Sequence, residues 1–166
     1  NGFKRGVLDF SGVSTFCQTE FLCVSGKAQG SCRQFLEDNL YCYININPDN
    51  THHLDGLTDD YVRECKFFDE DIEYVGGIKL QVLALGRYGQ IAFNEPGGSL
   101  DSKTGFSALS KETMDDYKMF VPPNTEYPLY ALTMGIGTIM DADECLLIAT
   151  GEEMADAVAA TIEGPV

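Results

Sequence analysis

Basic residues are scarce in this chain of 166, where 11 Lys and Arg stand against 26 Asp and Glu for a formal net charge of −15. So few cations leave no patch that could neutralise many phosphates, which excludes nucleic acid as a partner. The same field repels a phosphorylated metabolite unless Arg, Lys or backbone N–H groups gather locally to overcome it. Long apolar runs are also missing. Nothing approaches the roughly 18 residues of a membrane-spanning helix, and the opening NGFKRGVLDF has no apolar signal-peptide core. These absences predict a soluble, cytoplasmic chain with no membrane partner. No C-x-x-C pair occurs among the cysteines at 17, 23, 32, 42, 65 and 145, so the spacing of a zinc site or redox dithiol is absent. Their even number permits disulfides. An acidic chain of alternating helices and apolar strands without a secretory signal instead favours reduced, mostly buried thiols, and no structural metal is expected.

There is no internal repeat, low-complexity stretch or linker, and 44% apolar content suits a globular core. Residues 1–166 are therefore expected to form a single domain. With no initiator Met and with TIEGPV stopping just after a helix, the expectation is of a domain truncated at both ends.

GVSTFCQTEF (12–21) is a β-branched and aromatic run that reads as one strand. SCRQFLEDNLY (31–41) carries apolar residues at 32, 35, 36 and 40, a helical stripe with Ser31 as N-cap. Segment 44–60 is rich in Asn, Asp, Pro and Gly and reads as loop around one short extended piece. Apolar residues at 62, 65, 67, 68, 72 and 75 predict a helix over 59–75 that Gly76 and Gly77 end.

LQVLALG (80–86) and ECLLIAT (144–150) are nearly continuous apolar runs, as expected of strands buried on both faces of a parallel sheet. SKETMDDYKMF (110–120) predicts a helix with Ser110 or Thr113 as cap. Residues 127–142 predict a short strand, a Gly-x-Gly turn and a short helix, and 151–164 a capped amphipathic helix. This alternation predicts an α/β fold, doubly wound and Rossmann-like, with a mostly parallel sheet flanked by helices. Ligands bind beyond the carboxyl ends of such strands, where RYGQIAFNEPGGS (87–99) and the Gly135-Ile136-Gly137 turn both fall.

IAFNEPGGSL (91–100), YALTMGIGTIMDADECLLIATGEE (130–153) and AATIEGPV (159–166), with VSTF (13–16), ININPDN (44–50) and GGIKLQVLALGR (76–87), resemble the glucosamine-6-phosphate deaminase/isomerase family over essentially the whole chain. The resemblance implies a doubly wound α/β fold, oligomers that are often hexamers, and no metal or organic cofactor. It implies conversion of glucosamine 6-phosphate to fructose 6-phosphate and ammonia. The 6-phosphogluconolactonases share the fold but lack the FNEP corner and the LTMGIGTI block, so a hydrolase is an alternative.

Carried across residue by residue, the resemblance places Thr19 where the family has its proton-transferring Asp. A threonine hydroxyl does not ionise near neutral pH. Glu20 is next to it, but adjacent residues of an extended segment point to opposite sides. The family's Asp/Asn-Gly-His is Tyr88-Gly89-Gln90 here, and a Gln amide hydrogen-bonds without titrating. Glu95 matches the family's acid. With no imidazole to orient, it is expected to accept N–H bonds at the turn around Asn94 and Pro96 or to keep a residual ligand contact, or to pair with Gln90 or solvent.

The family's phosphate-binding Arg and Lys fall at Met119 and Met154, both expected to fill apolar space, with Lys118 as a possible substitute. Two lost cations remove roughly 1.5–3 kcal/mol for each charge-assisted hydrogen bond. Allosteric basic residues of some family members correspond to Gly105 and Ser107, which removes that control.

The expectation is thus an amino-sugar-phosphate-binding protein with impaired or absent catalysis, forming a homo-oligomer or joining an active paralogue. Its rival is an enzyme that uses Glu20 as base, Glu95 as acid and Lys118 for phosphate. His52-His53 reads as solvated loop, and Gln90 as a polar loop residue. The Gly135-Ile136-Gly137 turn serves an anion or tight strand–helix packing.

Overall fold

A computed structural model describes residues 2–118 and 129–164. The run expected as one strand over 12–21 is two: β1 (Thr15–Phe16) and β2 (Thr19–Phe21). Between them the chain changes partner. β1 pairs in parallel with β3 (Thr51–His52), whereas β2 pairs antiparallel with β6 (Tyr130–Thr133). The residues Cys17 and Gln18 make the change: the Cys17 N–H donates to the His52 carbonyl at 2.9 Å, and the Gln18 carbonyl accepts from the Met134 N–H at 2.7 Å.

Ser31 caps α1 (Cys32–Asn39) as expected, its hydroxyl accepting the Gln34 N–H at 3.2 Å. Asp60 caps α2 (Tyr61–Tyr74) by accepting the Arg63 N–H at 3.0 Å. Gly76 and Gly77 end it in a Schellman motif, donating to the Glu73 and Ile72 carbonyls at 3.0 and 2.9 Å. Cys65, Phe68 and Ile72 lie on one face of α2 by their spacing. They bury against Leu54, Leu83, Leu132, Met134 and Ile139, which form the main core.

β4 (Gln81–Ala84) and β7 (Cys145–Ile148) pair in parallel, from Gln81↔Cys145 to Ala84↔Ile148. The expected two-sided burial of these strands does not hold. β4 alternates, with Gln81 and Leu83 inward and Val82 and Ala84 outward, and all of β7 is exposed. Burial on both faces requires a cover on both faces, and among the described residues nothing covers the outer one. The helix α5 (Ala155–Glu163) follows as expected, but only its Ala157 is buried and no side chain caps it.

Ser110 rather than Thr113 caps α3 (Lys111–Tyr117), and Gly135 precedes α4 (Ile136–Met140). β5 (Gly105–Ala108) is unanticipated: GFSA carries little strand signal of its own and is held by pairing antiparallel with β6. The result is a mixed α/β fold in which, among the described residues, two of three sheets are parallel and the third, β2–β6–β5, is antiparallel, with helices flanking them.

The thiols are free, as the composition implies, but not mostly buried. Cys17 and Cys65 are buried and Cys32 half-buried, while Cys23, Cys42 and Cys145 are exposed. The exposed ones sit in a turn, a 3-10 turn and the exposed strand β7.

Candidate active site

The loop after β4 is built from within. The Gly86 N–H donates to the Gln90 carbonyl at 2.8 Å and the Gly89 N–H to the Gly86 carbonyl at 2.9 Å, while Leu85 and Ile91 form a bridge. Gln90 is the polar loop residue expected, and it is buried, being only 6% exposed. Its Oε1 accepts the Tyr88 N–H at 3.0 Å, and its amide lies so close over Gly86 that a Cβ there would fall 2.2 Å from Gln90 Cδ. An amide in this position braces the turn. Tyr88 itself is half exposed. The Arg87 guanidinium lies over its ring and reaches Asp116 Oδ1 at 2.7 Å, tying the loop to α3.

The following FNEP corner is fastened to the end of β6. Asn94 Nδ2 donates to the Ile91 carbonyl at 3.0 Å and the Met134 carbonyl at 2.8 Å, and the Phe93 N–H donates to Thr133 Oγ1 at 3.1 Å. Phe93 is buried with Phe21 and Ala131, and Ser107 Oγ donates to its carbonyl at 2.8 Å. Glu95 then faces a cleft of about 430 Å³. The loop 93–99, Ser102, Lys103, β5, Thr133 and Ile136 line it. Neither a turn N–H nor Gln90 meets the Glu95 carboxylate, contrary to expectation. Thr113 on α3 donates its hydroxyl to Glu95 Oε1 at 2.7 Å. The cation in the cleft is Lys103, whose Nζ lies 2.7 Å from Asp141.

The other anticipated site residues do not join this cleft. Thr19 opens β2, opposite Thr133, and donates its hydroxyl to Cys32 Sγ at 3.3 Å. Glu20 is 1% exposed, and its carboxylate accepts the Phe21, Cys32 and Arg33 N–H groups at 2.9, 3.1 and 3.1 Å and the Ser31 hydroxyl at 2.7 Å. It is thus a second cap beneath α1. Burial pushes the neighbouring Cys17 thiol up to about 12, and Cys32 is raised in the same direction for the same reason. Lys118 ends α3 and pairs with Asp115 on the same helix. Met154 ends a 3-10 turn at the start of α5, with its N–H on the Gly151 carbonyl at 3.2 Å. Met119 lies outside the described residues.

The Gly135-Ile136-Gly137 turn serves packing. Its Ile136 and Gly137 N–H groups go to Ser102 Oγ and the Ser102 carbonyl, both at 2.9 Å. A Cβ on Gly135 would fall 2.2 Å from that same carbonyl, so only glycine allows the approach. The His52-His53 pair is also not a solvated loop. His52 stacks on Phe16 at 4.2 Å with its Nδ1 3.5 Å from Asp71. His53 packs edge-on to Tyr41 with its Nδ1 buried and unpartnered. Burial, and then Arg33 and His52, bring its pKa down to about 4. No cluster of three or more metal-ligating side chains occurs among the described residues.

Sequence reasoning passed over Lys103, Ser102 and Thr133, and named Asn94 only as part of the turn around Glu95. It treated Thr113 only as a candidate cap. The signal for Thr113 was the Ser110-x-x-Thr113 spacing. Its contact with Glu95, 18 residues away, had none.

No family model matches the chain. It is 40% identical over 162 residues, 98% of its length, to the glucosamine-6-phosphate deaminase of Thermoanaerobacter sp. (strain X514), covering 64% of that protein. To the glucosamine-6-phosphate deaminase of Hahella chejuensis it is 40% identical over 163 residues, covering 62%. The chain therefore spans a little under two thirds of the length of these curated relatives. Among solved structures, 6-phosphogluconolactonase from Thermotoga maritima aligns with a TM-score of 0.73 at 15% identity over 95% of this chain and 66% of its own. That likeness defines the fold alone. A monomeric glucosamine-6-phosphate deaminase, described as a missing link of the NagB superfamily, aligns with a TM-score of 0.95 at 30% identity over 99% of this chain and 68% of its own. The fold is thus of the NagB type, and the chain belongs to the glucosamine-6-phosphate deaminase family.

Proposed function

We propose that the chain binds an amino-sugar phosphate weakly in the Glu95 cleft and turns it over slowly or not at all, a cytoplasmic protein of amino-sugar metabolism without a cofactor. The observation that carries this reading is the state of the two positions that move protons in the family. Thr19 holds a hydroxyl engaged with Cys32, and Gln90 an amide engaged with the Tyr88 N–H. Neither titrates near neutral pH. Glu20, the only carboxylate beside Thr19 in the chain, already accepts four hydrogen bonds, so it has little capacity to act as a base. Lys118, paired with Asp115, is a weak replacement for the missing phosphate cations.

The test is calorimetry with glucosamine 6-phosphate alongside an ammonium assay on the same sample. Binding heat without ammonium above the buffer rate is the expected result. Steady ammonium release that Glu95→Gln abolishes would overturn it in favour of an active enzyme.

Association into a homo-oligomer or with an active paralogue is a second reading. It is supported by the face of β4 and β7 on which Val82, Leu146 and Ile148 are exposed and which no described residue covers. Sedimentation of the chain alone, and then mixed with such a paralogue, separates these cases.

A further inference from the structure

We infer that the hydroxyl pair Ser110–Thr113 is the device that positions Glu95, fixing Oε1 so that Oε2 meets a hydroxyl or ammonium group of the cleft's ligand. The ligand half of this statement rests on the amino-sugar reading above. The clamp itself does not.

The direction of every proton in the device follows from valence. An ionised carboxylate only accepts, so the 2.7 Å contact requires Thr113 to donate to Glu95 Oε1. A threonine hydroxyl has one proton. Ser110 Oγ, 2.9 Å from Thr113 Oγ1, must therefore be the donor in that second contact. The lone pairs of Ser110 Oγ then receive the Thr113 N–H at 3.1 Å. The N-cap of α3 and the carboxylate at the cleft thus form one ordered chain of hydrogen bonds.

Thr113 has a position from which a side chain commonly turns back to the N-cap amide to complete a capping box. It turns instead to Glu95, on a different segment, and does so at 1% exposure, where an unsatisfied hydroxyl is costly. Glu95 Oε2 accepts no hydrogen bond from the described residues, although Glu95 lines the cleft. A carboxylate held by one oxygen with the other open has a defined aim. Its open oxygen suits a donor, and amino sugars offer both hydroxyl and ammonium donors.

Thr113→Val keeps the shape and β-branching and removes the donor, while Thr113→Ser keeps the donor. Both are made in the full chain, with melting temperatures followed as a control. The first readout is the carboxyl 13C resonance of Glu95, identified by its loss in Glu95→Gln. Thr113→Val is expected to move it and Thr113→Ser to leave it in place. The second is affinity for glucosamine 6-phosphate, expected to fall about fivefold in Thr113→Val and less than twofold in Thr113→Ser. A resonance unmoved by Thr113→Val overturns the inference even if the affinity changes, because a residue with a purely structural role alters melting without touching the carboxyl signal. If the resonance responds as expected but wild-type protein binds no glucosamine 6-phosphate, the clamp stands and only the ligand reading falls.

Discussion

The FNEP corner, one aromatic residue among polar neighbours, and strand β7, wholly apolar, both lie beside a sheet, and they end in opposite states. At the corner, Phe93 is 1% exposed and its N–H, its carbonyl and the Asn94 amide all have partners. β7, CLLI, is the more apolar of the two and is exposed along its whole length. Hydrophobicity sets what burial is worth, while the presence of a facing surface sets whether it happens. The corner brings its own facing surface through β2, β5 and β6. β7 has β4 on one side and no cover among the described residues.

That contrast is open to direct attack. Phe93→Ala empties the best-filled position of the corner and should cost about 3–5 kcal/mol in denaturant unfolding. A cost below that of a surface truncation would mean that the corner is not the anchor described. Glu20→Ala leaves the Ser31 hydroxyl and three N–H groups, that of Phe21 buried and those of Cys32 and Arg33 partly so, without their acceptor, for an expected loss of about 3 kcal/mol. Rescue by Glu20→Gln should be partial, since an amide offers a single acceptor atom.

Between the extremes lies His53. Its pKa is about 4 in the fold and near the ordinary 6.5 when unfolded. The unfolded chain therefore binds the proton first, and stability falls as pH drops from the unfolded value toward the folded one. Because the ring is only partly buried, the loss is on the order of 1 kcal/mol. A pH series of unfolding midpoints should show this slope in the wild type and a flatter one in His53→Phe.

Leu146→Ala on the exposed strand should cost less than about 1 kcal/mol, the reverse of what its apolarity suggests. A loss as large as that of Phe93→Ala would reveal a cover over β7. Smallest of all, Lys79→Ala breaks an exposed pair with Asp143 and should fall within about 0.5 kcal/mol of wild type.

Local signals were legible in the sequence. The Ser31 cap marks α1, the apolar spacing and the Gly76-Gly77 stop mark α2, and the apolar runs mark β4 and β7, because these features depend on a few neighbouring residues. What escaped depends on pairing at a distance. GFSA becomes β5 only because β6 lies beside it, and 12–21 divides because β3 and β6 each claim one half. The same holds in the cleft. Glu95 could be named from its motif, but its partner Thr113 and its neighbour Lys103 reach it by folding. Gln90 was legible as a polar loop residue but not as a buried one, because the glycine opposite that makes room for it inside the turn meets it only in the fold.

The dipeptide Cys17–Gln18 belongs to two sheets at once, the Cys17 N–H bonded to the His52 carbonyl and the Gln18 carbonyl to the Met134 N–H. Neither sheet can peel away without straining that single rivet. The Cys17 and Met134 amides should therefore become accessible to deuterium in one shared event, at one rate, although they stand 117 positions apart along the chain.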